Sequence, residues 1–333
     1  MAVHLQPLWG QEHALQTSSA PAVECRTLGY RAGRRAAIAY RRVAAESPSQ
    51  GFLGKTFRDR REEKLARTHR ELSEQLAWYT QGRVRVPLPR GHLPNLHMTL
   101  FSWAGGKRAT GKMVTPANGA FAAVDVLAAL HRTSLDGVPT FSVEDECGIV
   151  EHWHAALERV DPSSAAATKP LLDRLLETAG TLGPTAPCTI HRDFYDRQLI
   201  VGRRTTTLLD LDTLARGAPS VDLGNLLAHL FLAALGAERT PAEFEKLAGK
   251  LIARYEGQKG PVDRRALAFF WATALFRVGA VHAFRTATHR HAPAMWASAE
   301  HVLKTVKMRS SSNARVGRAK GRGRQRLATK GSA

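Results

Sequence analysis

The chain has 333 residues, room for one large domain or two lobes, and its 44% hydrophobic and 23% charged content is that of a globular protein. Three widely spaced cysteines, Cys25, Cys147 and Cys188, exclude a disulfide framework and a cysteine metal site, and they fit a reducing, cytoplasmic setting. The net charge of +19 falls to about +11 when the eight Lys and Arg of 309–333 are set aside, so the body is basic as well as the tail.

Residues 1–22 read as an irregular lead-in without a basic start or a continuous apolar stretch, so no signal peptide is expected. From Val23, β-branched and aromatic residues predict a hairpin, Val23–Tyr30 and Ala36–Val43, closed by Gly33. A polar loop, Glu46 to Gln50, leads to a strand from Phe52 to Phe57 and a helix from about Arg61 to Tyr79. Val84–Pro87 and His97–Trp103 read as two further strands around the Pro/Gly-rich PLPRGHLPNL. The polar stretch GGKRATGKMVTPANGA predicts a linker, and Phe121, Val124, Leu127 and Leu130 recur at helical spacing behind it. Residues 134–147 read as irregular, ending in a solvated acidic cluster, Val143-Glu144-Asp145-Glu146. Helices are expected over Glu151–Val160 and Ala165–Leu182, then over Leu223–Leu235, Pro241–Glu256, Val262–His289 and Ala294–Lys307. The most apolar stretch, Ala266 to Phe284, is broken by Arg277 and His282 and reads as a buried helix. It falls short of the roughly 20 apolar residues of a membrane span, so no membrane contact is expected. His282, His289 and His291 lack metal-ligand spacing. The tail, 309–333, is too poor in apolar residues to fold alone and reads as disordered, either simply solvated or in loose contact with nucleic acid or anionic surfaces.

The most informative segment runs from Cys188 to Leu230. It contains His191-Arg192-Asp193, then Gln198, then a Leu-rich strand delivering Asp210 and Asp212, and finally Val221-Asp222-Leu223 at the start of an apolar helix. Two short strands thus surround a polar loop, with carboxylates at strand ends and an amide between them. Phosphoryl transfer needs a carboxylate to orient an attacking hydroxyl and accept its proton, and oxygen ligands to hold Mg²⁺ against the phosphates of ATP. Asp193 is the candidate base, with Gln198 and Asp210 as candidate metal ligands. Asp212 reads either as a supporting group near the metal or as a turn aspartate.

HRDFYDRQLI, LLDLD and VDLGNLL together resemble the catalytic core of the aminoglycoside phosphotransferase and choline kinase-like family, small-molecule relatives of the protein kinases. Gln198 stands where the family usually has Asn, which keeps the amide oxygen and adds one methylene. The resemblance implies an α+β, bilobal, kinase-like fold: an N-lobe over 23–103 with a small antiparallel sheet and one helix, and a mostly helical C-lobe over 104–308. It also implies that Lys55 contacts the α- and β-phosphates and that a helix carboxylate, Glu71 or Glu74, positions it. His191 would orient the catalytic loop, Asp222 would brace it, and Ser102 to Gly106 would form an adenine-binding hinge. The reaction implied is γ-phosphoryl transfer from ATP to a hydroxyl of a small molecule, whether aminoglycoside, sugar or choline-like alcohol.

Three alternatives stand beside this reading. Gly54-Lys55-Thr56 matches the end of a P-loop, although Ser49 occupies the place of its first glycine. A pseudokinase would keep the fold without turnover, as Gln198 and the lack of a glycine-rich loop allow. A nucleic-acid-associated protein would act through the basic tail.

Overall fold

The computed structural model describes residues 22–43, 51–109 and 119–305. The lead-in over 1–21, the polar loop over 44–50, most of the linker (110–118) and the tail lie outside these residues. Contacts divide into two units. One is drawn from Met1–Pro139 with Cys188–Arg216, and the other from Thr140–Pro187 with Gly217–Ala333.

The first unit is built on an antiparallel sheet. Its strands are β1 (Val23–Arg31), β2 (Arg35–Arg42), β3 (Gly51–Phe57), β5 (Pro89–Leu93) and β6 (Met98–Ser102), ordered β1-β2-β3-β6-β5. Helix α1 (Glu62–Thr80) and strand β4 (Val84–Arg85) intervene between β3 and β5. In the register, Ala37 lies opposite Lys55, Arg35 opposite Phe57, and Lys55 opposite Thr99. Directly opposed residues share a face, so Arg35, Lys55 and Thr99 point to the same side of the sheet. Helix α1 covers that side: the Thr99 hydroxyl donates to the Glu62 carbonyl at 3.2 Å, and the His69 ring packs on Phe101 with centroids 4.4 Å apart. Tyr40, Phe52, Met98 and Leu100 form the apolar cluster on the other side.

Gly54 is wedged into this cluster. A Cβ there would lie 2.6 Å from Met98 Sδ and 2.7 Å from Tyr40 Cε2, so any side chain would force these neighbours to shift. This removes the P-loop alternative, because Gly54-Lys55-Thr56 lies in the middle of an antiparallel strand and not in a turn before a helix.

A second small sheet joins β4 to β7 (Lys107–Arg108), β9 (Leu199–Val201) and β10 (Thr206–Leu208), in the order β4-β10-β9-β7. Lys107 and Arg108 fall in the stretch expected to be a linker, yet they pair with Val201 and Ile200. Helix α2 (Ala120–Leu130) is nearly all apolar and mostly buried. Strand β8 (Cys188–Ile190) precedes the loop that carries Asp193, with the Thr189 hydroxyl donating to the Thr133 carbonyl at 3.0 Å.

Among its described residues, the second unit is helical: α3 (Val143–Val160), α4 (Pro162–Ala179), α5 (Ser220–Gly236), α6 (Pro241–Lys259), α7 (Arg264–Ala283) and a last helix over 292–305. The acidic cluster expected in a loop is instead the first turn of α3. Ser142 accepts from the Asp145 amide while the Asp145 side chain accepts from the Ser142 amide, a capping box that starts the helix eight residues earlier than expected. Carboxylates there also complement the helix dipole. Helices α5 and α7 pack backbone to backbone at Gly224, where a Cβ would meet the Trp271 amide nitrogen at 2.6 Å. Helix α7 is long and apolar enough to cross a membrane, but 72% of its apolar window is buried inside the fold. Phe269, Phe270 and Phe276 make it a core helix.

Candidate active site

The loop after β8 is tied to the strand end that carries Asp210. His191 is fully buried, and its Nε2–H donates to the Leu209 carbonyl at 2.8 Å. Its own carbonyl accepts from the Thr213 hydroxyl, also at 2.8 Å. These two bonds flank Asp210, and the ring packs edge-on against buried Phe194. The Nε2 proton is thus spent on a backbone carbonyl, tying the loop to the strand end.

Two residues here have left-handed backbone, Arg192 (φ 70°) and Asp210 (φ 54°). Asp tolerates this conformation, whereas Arg pays about 1–2 kcal/mol for it. Strain at Arg192, next to Asp193, is of the kind that gathers where side chains must be aimed.

Asp193 and Gln198 are in direct contact. The Gln198 Nε2 donates to Asp193 Oδ2 at 3.1 Å, and since a carboxylate only accepts, the amide oxygen faces away from it. The Gln198 carbonyl accepts from the Leu209 amide at 2.8 Å, which sets it beside the residue preceding Asp210. Tyr195 is half-buried, and its phenol pKa is raised by burial and then by the negative charge of Asp193.

Lys55 reaches the same place from β3. Its Nζ lies 2.9 Å from Asp210 Oδ1 and 2.8 Å from Asp212 Oδ1. Arg35, from the first position of β2, puts Nη1 2.5 Å from Asp212 Oδ2 and 3.4 Å from Asp210 Oδ1. Two cations and two carboxylates thus make a neutral quartet. Burial pushes the Asp210 carboxyl up, but the charge and hydrogen bond of Lys55, then the charge of Arg35, overrule it and hold the group well below the usual carboxylate range.

Neither Glu71 nor Glu74 is an ion-pair partner of Lys55 among the described residues; Asp210 and Asp212 fill that place. The cause is rotational. The buried face of α1 carries Glu62, Leu65, Ala66, His69, Leu72, Leu76 and Thr80, and Glu71 and Glu74 lie off it. The position turned toward the sheet near Lys55 is His69, whose Nδ1–H donates to the Pro87 carbonyl at 2.7 Å. Its Nε2 is buried without a hydrogen-bond partner.

The donor set suits Mg²⁺, which takes hard oxygen ligands and commonly binds through one or two carboxylates plus nucleotide phosphates. Asp210 offers the carboxylate and Gln198 an amide oxygen. Among the described residues, no three His, Cys, Asp or Glu side chains are arranged to hold a metal alone. An ion at Asp210 would therefore need amide and nucleotide oxygens to complete its shell.

A family model described as the phosphotransferase enzyme family matches residues 38–270, well over half of the chain. The chain belongs to this family. It is a phosphotransferase. No curated protein sequence matches this phosphotransferase. Solved structures share its kinase-like fold at low identity. A choline kinase from Cryptosporidium parvum Iowa II is 10% identical with a TM-score of 0.61, covering 93% of this chain and 96% of its own. A choline/ethanolamine kinase family protein from Mesorhizobium loti is 12% identical with a TM-score of 0.55, covering 91% and 95%. A choline kinase from Streptococcus pneumoniae is 14% identical with a TM-score of 0.54, covering 91% and 98%.

Two residues that the fold brings to the candidate site were not legible as such in the sequence, Arg35 and His69. For Arg35 the signal is strand alternation, which puts it on the face of Lys55. For His69 it is the helical stripe Leu65, His69, Leu72, Leu76.

Proposed function

We propose that this phosphotransferase moves the γ-phosphoryl group of ATP to a hydroxyl of a small-molecule acceptor, with Asp193 as the base, Gln198 and Asp210 as the Mg²⁺ ligands and Lys55 on the nucleotide phosphates. The observation that supports this best is the continuous polar chain within one unit: Asp193 bonded to Gln198, Gln198 bonded to Leu209, and Lys55 bonded to Asp210. Mg²⁺, when bound, would neutralise charge on the phosphates as they separate. The side chains do the rest. Asp193 orients the acceptor hydroxyl and takes its proton. Gln198 links the base to the strand end that bears Asp210, its side-chain amide on Asp193 and its backbone carbonyl on the Leu209 amide. His191 and Thr213 hold the loop in register with Asp210.

The solved neighbours include choline kinases, so a choline-like amino alcohol belongs in the first acceptor panel, beside aminoglycosides and sugars. The test measures acceptor-stimulated ADP release and Mg²⁺-dependent ATP binding for wild type, Asp193→Ala and Asp210→Ala. Turnover is expected to fall by about 10²–10⁴-fold in Asp193→Ala with nucleotide binding kept. Asp210→Ala is expected to lose turnover together with the Mg²⁺-dependent part of ATP binding. Wild type that binds no nucleotide at any Mg²⁺ concentration would overturn the reading.

A further inference from the structure

We infer that Arg35 is a nucleotide-phosphate ligand whose resting place, before nucleotide arrives, is the pair of carboxylates Asp210 and Asp212. The inference rests on the nucleotide reading above. The hairpin between β1 and β2 carries no run of glycines whose amides could cradle phosphates, yet it delivers a guanidinium straight after its turn. Arg35 is the first residue of β2 and lies diagonally across from Lys55 on the same sheet face. Both of its carboxylate contacts run through the single atom Nη1. An arginine has five N–H donors in a planar fork, so most of this fork is uncommitted to the carboxylates. Its side chain is 32% exposed, while that of Asp212 is 2% exposed. The guanidinium therefore caps a buried carboxylate from the solvent edge.

One oxygen, Asp210 Oδ1, is shared by Arg35 Nη1 and Lys55 Nζ. A divalent cation ligated by Asp210 would place further positive charge against both. Repulsion would drive off the more exposed cation, Arg35 at 32% against 12% for Lys55, toward the phosphates that accompany the metal. Arginine suits that second partner, because its fork matches phosphate oxygens in pairs. Arg35 thus competes with the metal for Asp210 when nucleotide is absent and assists the nucleotide when it is present.

This exchange predicts effects of opposite sign from one substitution. Calorimetry on the full chain would compare wild type, Arg35→Gln and Arg35→Lys, first with Mn²⁺ alone and then with ATP, ADP and adenosine. Arg35→Gln is expected to bind Mn²⁺ alone several-fold more tightly and to bind ATP about tenfold more weakly, with adenosine unaffected. Arg35→Lys is expected to recover part of the ATP affinity. A residue that merely held the site together would weaken both ligands when replaced, and that result would overturn the proposal. Equal ATP affinity in wild type and Arg35→Gln would overturn it as well. Wild type that binds no nucleotide would overturn this proposal and the proposed function together, which separates the two failures. Should Arg35→Gln not fold, the same paired comparison in Arg35→Lys reads the sign.

Discussion

At the scale of single residues, His69 carries the clearest consequence. Burial holds its pKa down to about 3; the Pro87 carbonyl opposes this, Lys55 adds to it, and Asp210 opposes it more weakly. An unfolded chain takes up this proton near pH 6.5, so between pH 6.5 and 3 the unfolded state binds more protons than the folded one. Stability from this group is therefore complete above pH 6.5 and falls as the pH drops, by up to about 1.4 kcal/mol per unit. His69→Gln removes the proton and is expected to flatten the urea-unfolding stability against pH between 6 and 4. An unchanged slope would mean that the imidazole is hydrated or already charged. Its place also explains why the sequence points to a helix carboxylate for Lys55 that the fold does not supply. Glu71 and Glu74 have the right chemistry at plausible distances along the chain. They lie roughly 200° and 140° around the helix from His69, and only packing fixes which face meets the sheet. Asp193, Gln198 and Asp210 were legible because their relation is local, one loop and one strand pair, and so is written in their spacing.

At the scale of elements, β3 decides how Gly54-Lys55-Thr56 must be understood. Gly54 sits where a side chain would collide with Met98 and Tyr40. The Tyr40 hydroxyl already contacts Met98 Sδ at 3.4 Å, so the cluster has little room. Gly54→Ala is expected to cost about 1–3 kcal/mol by overpacking, toward the lower end if the Met98 side chain moves aside. Urea unfolding measures it directly, and a neutral substitution would show that the strand relaxes freely. The same element scale separates what sequence pattern can and cannot convey. The hairpin and β3 were legible to within a residue or so, because alternation and a turn glycine specify them locally. The start of α3 was missed because a run of acids resembles a solvated loop, although Ser142 and Asp145 hold the capping spacing three residues apart. Strand β7 was missed because two basic residues after paired glycines carry no strand signal. Their structure comes from β9, a partner far away in the chain.

At the scale of the whole molecule, the proposed site residues Lys55, Asp193, Gln198 and Asp210 all belong to the first unit, with β3 and the segment from β8 to Asp212 carrying them. A ligand that binds only the folded site adds its binding free energy to every opening reaction that destroys the site. At a nucleotide concentration 100 times Kd, that is about 2.7 kcal/mol, or roughly a hundredfold slower exchange of amides exposed only by such openings. Amides in β3 and in 188–213 are therefore expected to exchange more slowly with Mg²⁺ and ATP present. Amides in α6, closed by its own Thr240–Glu243 capping box and packed through Phe244 on Phe231, answer to openings of the second unit. Their exchange is expected to change far less. Hydrogen exchange read by mass spectrometry, with and without Mg²⁺ and ATP, resolves both segments in one experiment. Protection confined to the first segment locates the nucleotide among the proposed residues. Equal protection across α6 would mean that the two units open as one, and strong protection in α6 alone would place the nucleotide elsewhere.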